Sequence, residues 1–454
     1  MHAADIAAGI RTVTHAANYF DELKSNASRL AQRTAGQERG YLTPNEEDEI
    51  RGVLISYWQV RNALLELITS YRLDQELLPE DRPAAFLTAF AGAVVLIDAA
   101  RFLRENVHHR PLVRAKLNEA APQFGIPERV YESVQESLLS AHNAWHLYHA
   151  IRYFDEHESE LRNLAATQPL APLIEIIDGR RHRLDVSLTQ FARARMRARA
   201  SGAVRALMFD TLSRALYGLQ KLGGNMLSDK YLRRGHQPQL PFSIAEQLKP
   251  LLIPGDVLVV RKEHALTNYF LPGFWPHAAL YLGDAASLKQ MGVDHHAHVQ
   301  PRWAKLLALS DVEPRCVLEA MKDGVQIRSL KSPFGSDSIV VLRPHLTPQD
   351  IAVAMARVMS HEGKTYDFDF DFRRSDRLVC TEVVYRAYDG IGPVQFPLVR
   401  RAGRPTLSGS DLIGMGLARR HFDPIAVYIP GGELVVGDGA ARIISAAHSA
   451  HGAS

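Results

Sequence analysis

Pro254-Gly255-Asp256-Val257-Leu258-Val259-Val260-Arg261 is the stretch at which the chain changes its hydrophobic period. A Pro-Gly-Asp turn signal runs straight into β-branched residues, the composition of a buried strand rather than of an amphipathic helix. Short runs of the same kind recur at His277 to Leu282, Cys316 to Met321, Val325 to Leu330 and Ser338 to Arg343. Between two of them Lys322-Asp323-Gly324 predicts a hairpin. A helix is predicted from Thr347 to His361, then the run Tyr366 to Phe372, whose alternation reads as an extended segment with an aromatic face. A further helix begins near Cys380. This mixture of antiparallel strands and a few helices defines an α+β half.

Upstream the pattern is different. From Ile10 to about Gly223 apolar residues recur three or four apart, as in Val53, Leu54, Trp58, Val60, Leu64, Leu65 and Leu67, or Val134, Leu138, Ala141, Trp145 and Tyr148. Pro83, Pro111, Pro122, Pro127, Pro169 and Pro172 punctuate the helices, and an all-α bundle is the simplest outcome. Gly223-Gly224 is expected to close the last long helix. The Pro- and Gly-bearing stretch from Arg233 to Pro250 reads as a linker. The expected organisation is a helical domain over 1–232, a linker over 233–250 and a second domain over 251–454.

With 454 residues, 46% hydrophobic, 23% charged and a net charge of +3, the composition is that of an ordinary globular chain of two or three domains. A nucleic-acid partner is disfavoured, because no recognised motif accompanies a basic face. Two cysteines, Cys316 and Cys380, cannot build a disulfide framework. The N-terminal residues lack the cationic start and apolar run of a secretion signal, so a cytoplasmic location is expected. Pro83 to Ile97, closed by Asp98, is shorter than the roughly 20 residues of a bilayer span and reads as a buried helix. His264 to Gly283 lacks formal charge, but Pro272, Gly273 and Pro276 interrupt it, so no membrane span is predicted there.

Three residues carry the candidate chemistry. Cys380 follows the turn and cap types Ser375 and Asp376 and precedes helically spaced Val383, Val384, Ala387 and Tyr388, which puts its thiol on a first helical turn. Free amides and the helix dipole there favour a thiolate. His277 opens an otherwise apolar strand. Alternation places it with Ala279 and Tyr281, and Glu319 with Val317 and Met321, while Cys316 projects to the side opposite Glu319. A cysteine, a histidine base and an orienting carboxylate are the parts of thiol acyl transfer. Taken singly, each residue also fits a bland role: a structural cysteine, a satisfied core histidine, an exposed strand carboxylate.

Other signals point elsewhere. Asp367, Asp369 and Asp371 imitate the start of a calcium loop, but Phe372 and Leu378 occupy the positions that need Gly and Glu, so packing is the expected role. His295, His296 and His298 lack the spaced partners of a zinc site and read as a surface insertion. Arg193, Arg195, Arg197 and Arg199 form two stripes on a helix expected from Asp185 to Leu222. They read as a solvated face, with peripheral contact to an anionic membrane surface as the sharper alternative.

Taken together, Pro254-Gly255-Asp256-Val257-Leu258, then Leu271-Pro272-Gly273-Phe274-Trp275-Pro276-His277-Ala278-Ala279-Leu280-Tyr281-Leu282-Gly283, resemble the YiiX type of permuted papain-like cysteine amidases, relatives of NlpC peptidases and of lecithin retinol acyltransferase. Leu318-Glu319-Ala320, Gly363-Lys364-Thr365-Tyr366-Asp367-Phe368 and Val379-Cys380-Thr381-Glu382-Val383-Val384-Tyr385 look like the family's later blocks, in order. The likeness covers roughly the last 200 residues. It implies a permuted papain-like fold, with Cys380 as nucleophile, His277 as general base and Glu319 as the group orienting the imidazole. It also implies pocket or oxyanion roles for Tyr366 and Thr381, and no cofactor. The implied activity is a thiol-dependent hydrolase or acyltransferase working through a thioester on a peptide, N-acyl amide or lipid ester. The alternative is a catalytically silent binding or scaffold protein on the same fold.

Overall fold

The computed structural model describes residues 3–34, 40–71, 77–121, 125–184, 211–226, 239–262, 274–307, 314–401 and 404–451. Two compact units divide the chain, Met1–Pro122 with Ile126–Lys230 and Gln123–Gly125 with Tyr231–Ser454. Helices dominate the first; the second is built on an antiparallel sheet.

Among its described residues the first unit holds α1 (Ala3–Thr34), α2 (Pro44–Ser70), α3 (Arg82–Val107), α4 (Pro111–Leu117), α5 (Val130–Leu139), α6 (Ala141–Glu156), α7 (Glu158–Thr167), α8 (Ala171–Arg180) and α9 (Thr211–Met226). Its local signals are conventional. Thr43 caps α2 through the Glu46 amide, Glu46 returns a bond to the Thr43 amide, and Pro44 opens the helix. The uncharged stretch Pro83 to Ile97 is a buried helix as expected, and α3 continues past the charged Asp98. It runs on to Val107, because the Asp98 carboxylate receives Lys24 at 2.6 Å, Arg183 at 3.1 Å and Arg180 at 3.2 Å and so tolerates burial. With its leading turn this helix is long and apolar enough to cross a membrane, and 89% of its apolar window is buried within the protein. Helix α9 likewise continues through Gly223-Gly224 to Met226. The expected helix from Asp185 is described only from Thr211 onward, and Arg193 to Arg199 lie outside the described residues.

The second unit carries a seven-stranded sheet made of β1 (Val257–Arg261), β2 (His277–Tyr281), β3 (Arg315–Met321), β4 (Gly324–Ser329), β5 (Ser338–Pro344) and two later strands, β10 (Phe422–Tyr428) and β11 (Val435–Val436). Its order is β11-β10-β5-β1-β2-β3-β4, every neighbouring pair antiparallel. The short strands β6 (Thr365–Tyr366) and β7 (Arg377–Leu378) pair in parallel, and β8 (Val399–Arg401) with β9 (Arg404–Thr406) forms a hairpin. The helices of this unit are α10 (Phe242–Leu248), α11 (Ala285–Gln290), α12 (Gln300–Leu307), α13 (Lys331–Phe334), α14 (Pro348–Met359), α15 (Cys380–Tyr388), α16 (Gly409–Leu417) and α17 (Asp438–His451).

Period-two alternation sorts the strand side chains into two buried clusters. Val257, Val259, Ala278, Leu280, Leu318, Val340 and Leu342 join one with Met355 and Val358 of α14 and Val383, Val384, Ala387 and Tyr388 of α15. Leu258, Val260, Ala279, Val317, Ile339 and Val341 join the other with Leu240 and with Ile244 and Leu248 of α10. The stretch read as a linker therefore divides. Residues 231–238 lie outside the described residues, whereas Leu240 and α10 are part of the second core, since their apolar side chains cover a sheet face that alternation makes as apolar as the first.

Two turns set up the sheet's working end. Gly255 takes φ +98°, a left-handed conformation that suits glycine, and its carbonyl accepts the buried Tyr388 hydroxyl. Beside it Asp256 is fully buried and paired twice with Arg343 at 2.8 Å. Gly409 opens α16 so close to the Trp275 carbonyl that a Cβ there would lie 2.2 Å from the oxygen, which fixes the backbone two residues before His277.

Two expectations need correction, that for Tyr366 to Phe372 and that for Cys316. The run Tyr366 to Phe372 is not extended. After Tyr366 the chain turns, because the Asp367 carboxylate accepts the amides of Asp369 and Asp371, and Phe370 is left at φ +53°. The insertion between β2 and β3 carries His295, His296 and His298 exposed, as a surface insertion should, and is helical at α11 and α12. Alternation also fails at Cys316. A register shift between Arg315 and Val317 places Cys316 in the same cluster as Val317.

Candidate active site

Strand register brings the histidine and the carboxylate together. β2 pairs with β3 through Leu280↔Leu318 and Tyr281↔Val317, so continuing that register sets Glu319 opposite Ala279 and makes His277 its diagonal neighbour. His277 Nε2 lies 2.7 Å from Glu319 Oε2. The ring's other nitrogen, Nδ1, is then the one available to a thiol. Glu319 is 1% exposed, whereas the His277 side chain keeps 23% of its surface open to solvent.

Cys380 reaches the same ring from α15. Val379 takes the extended cap conformation, Cys380 is the first helical residue, and the backbone amides of Ala278 and Thr381 donate toward its sulfur. Its Sγ lies 3.9 Å from the Pro276 carbonyl, and thiol and imidazole are hydrogen-bond and charge partners. Burial raises the Cys380 thiol, but the His277 charge and hydrogen bond with the two amides outweigh it, and the net direction is down from the ordinary 9.0. Burial likewise pulls His277 down, and its interactions with Cys380 and Glu319 prevail, pushing it up to about 9. Opposite shifts in two touching groups favour the thiolate and imidazolium pair.

Glu319 is held in turn. Burial would raise its carboxyl, yet His277, Arg328 and Ser332 bring it down to about 2. Ser332 donates to Oε1, and Arg328 Nε stands 3.3 Å from the same oxygen. Tyr366 adjoins the site. Burial, then the Cys380 and Asp367 charges, push its phenol well above 10.0, so the hydroxyl stays protonated. Tyr366 packs edge-on against Phe368 at 5.1 Å and Phe370 at 6.1 Å. Thr381 is fully buried, its Oγ1 without a hydrogen-bond partner.

The structure thus brings Cys380, His277, Glu319 and Tyr366 to one place with Thr381 beside the nucleophile. Cys316 has other surroundings, where burial first of all pushes its thiol up to about 11. The imitation calcium loop is occupied by the protein itself: Asp367 takes two amides, Asp369 faces Arg404 and Asp371 pairs with Arg373. Among the described residues no group of three or more His, Cys, Asp and Glu could hold a metal ion. Sequence reasoning missed Arg328 and Ser332. Arg328 was detectable, since it lies opposite Val317 on β4 and so on the parity of Glu319.

A buried thiol on a helix N-terminus, beside a strand histidine that pairs with a carboxylate, resembles the papain-like arrangement. Residues 252–408, in the C-terminal half, match the family model of the permuted papain-like amidase enzymes, YaeF/YiiX, C92 family, which supports a cysteine-type amide hydrolase. No curated protein and no solved structure matches the chain.

Proposed function

We propose that the second unit hydrolyses or transfers an acyl group from an amide or ester through a thioester on Cys380. In this reading the thiolate attacks the carbonyl, and the Cys380 backbone amide, at the open end of α15, donates to the developing oxyanion. The imidazolium of His277 gives its proton to the departing amine or alcohol. His277 then draws a proton from water or a second acceptor, which releases the acyl group. Glu319 keeps Nδ1 of the ring aimed at sulfur by holding Nε2. The observation that carries the reading is the convergence of a thiol on the first turn of α15 with a β2 imidazole whose Nε2 is held 2.7 Å from Glu319, and the lowered Cys380 and raised His277 agree with it. Peptides, N-acyl amides and lipid esters are the substrate classes proposed.

The test is turnover of such a panel with mass analysis of the intact chain. An acyl adduct on Cys380 during turnover is expected, and Cys380→Ala should lower kcat/KM by about 1,000-fold or more. Turnover surviving in Cys380→Ala would overturn the reading.

A further inference from the structure

Glu319 divides its two oxygens between different tasks. Oε2 faces His277 at 2.7 Å, whereas Oε1 receives the Ser332 hydroxyl and forms an ion pair, without a hydrogen bond, with Arg328, whose Nε lies 3.3 Å away. These holders come from neighbouring pieces of chain. Arg328 is on β4, opposite Val317, hence diagonal to Glu319 on the strand side away from His277, and Ser332 is on α13 just beyond that strand. The guanidinium is itself anchored, its Nη2 bonding Asp323 of the β3–β4 turn. Three adjacent strands therefore carry one row, His277, Glu319 and Arg328.

The consequence concerns rotation of a carboxylate. With Oε2 alone engaged, the buried Glu319 carboxyl would be free to turn about its last bond and to take up a proton, and either event loosens the imidazole. Arg328 and Ser332 remove both freedoms. We propose that Arg328, with Ser332, is a positioning residue of the acyl-transfer site, acting on the His277 ring only through Glu319. The inference rests on the assignment of His277 and Glu319 made above and extends it by one layer. The forces on His277 other than burial come from Cys380 and Glu319, so the loss of Arg328 reaches the ring as a weakened Glu319 contact. His277 then titrates nearer its ordinary value, and the alkaline limb of activity moves toward neutral pH.

The experiment uses the full chain with ¹⁵N-labelled histidine, following the His277 ring by NMR beside the pH profile of kcat/KM. Arg328→Gln is expected to lower the His277 titration by about one pH unit and kcat/KM by about tenfold, with Arg328→Lys recovering part of both. Added to Glu319→Gln, it should cost less than about twofold more, since both changes break one connection. An unmoved His277 titration, or a full tenfold loss added to that of Glu319→Gln, would overturn the proposal. Should Arg328→Gln fail to fold, Ser332→Ala removes one hydroxyl and must move the same titration in the same direction. A chain without turnover in which Arg328→Gln still moves His277 would defeat the hydrolase reading and leave this one standing.

Discussion

The two cysteines of this chain share one unit and nearly equal exposure, at 2% for Cys380 on helix α15 and 3% for Cys316 on strand β3, yet their thiols are driven in opposite directions. Burial penalises both thiolates. At Cys316 it meets only a backbone contact from Leu330 and an unfavourable Asp284, and the thiol rises to about 11. At Cys380 the penalty of burial is exceeded by an imidazole and two amides aimed at the sulfur. What distinguishes the proposed nucleophile from the packed thiol is the directed groups around it, since exposure is nearly the same.

That contrast can be broken at its supports. After the loss of Cys380 itself, the largest effect is expected from Glu319→Gln, which keeps shape and removes the charge that, next to that of Cys380, raises His277. kcat/KM should fall about 100-fold, and the alkaline limb, near pH 9 in the native chain, should move toward neutrality. A pH and rate profile measures both, and an unchanged profile would show that the carboxylate is ornamental to the ring.

A smaller effect tests the buried turn that follows Tyr366. Burial first, then Asp369, push the Asp367 carboxyl up to about 7, above its ordinary 3.8. The folded state therefore binds this proton more tightly than the unfolded state. Its contribution to stability is full below the unfolded value and is lost as pH rises through the folded one. Between about pH 4 and 7 stability should fall by up to about 1.4 kcal/mol per pH unit from this group. Denaturant titrations of native chain and Asp367→Asn across that window check it. The variant should show the shallower dependence, and equal slopes would mean that Asp367 is ordinary.

The parts of this arrangement that the sequence made visible are those governed by short-range pattern. Apolar runs after Pro254 place β1 to β5, and Val383, Val384, Ala387 and Tyr388 on α15 announce the helix behind Cys380. Less visible were features set by a single side chain or an irregular backbone. Nothing in the alternation of Tyr366 to Phe372 reveals that the Asp367 carboxylate will fold the chain back on itself. The register shift beside Cys316 is equally silent, because a bulge inserts one residue without altering composition. The stretch around α10 was misread as linker because its prolines and glycine outweigh the few apolar residues that cover the sheet. β10 and α17, beyond the motif blocks, supply strand pairing and cover without chemistry, and no motif drew attention to them.

The most direct measurement of the central claim is alkylation of the full chain by a small neutral electrophile across a pH series, each cysteine read by peptide mass. With one thiol lowered below 9.0 and the other raised to about 11, Cys380 should react faster at neutral pH. The excess should be about tenfold or more after allowing for the weaker nucleophilicity of a low-pKa thiolate. His277→Ala should abolish the difference. Equal rates at both cysteines, rising together toward alkaline pH in native and variant chains alike, would contradict an activated nucleophile at Cys380.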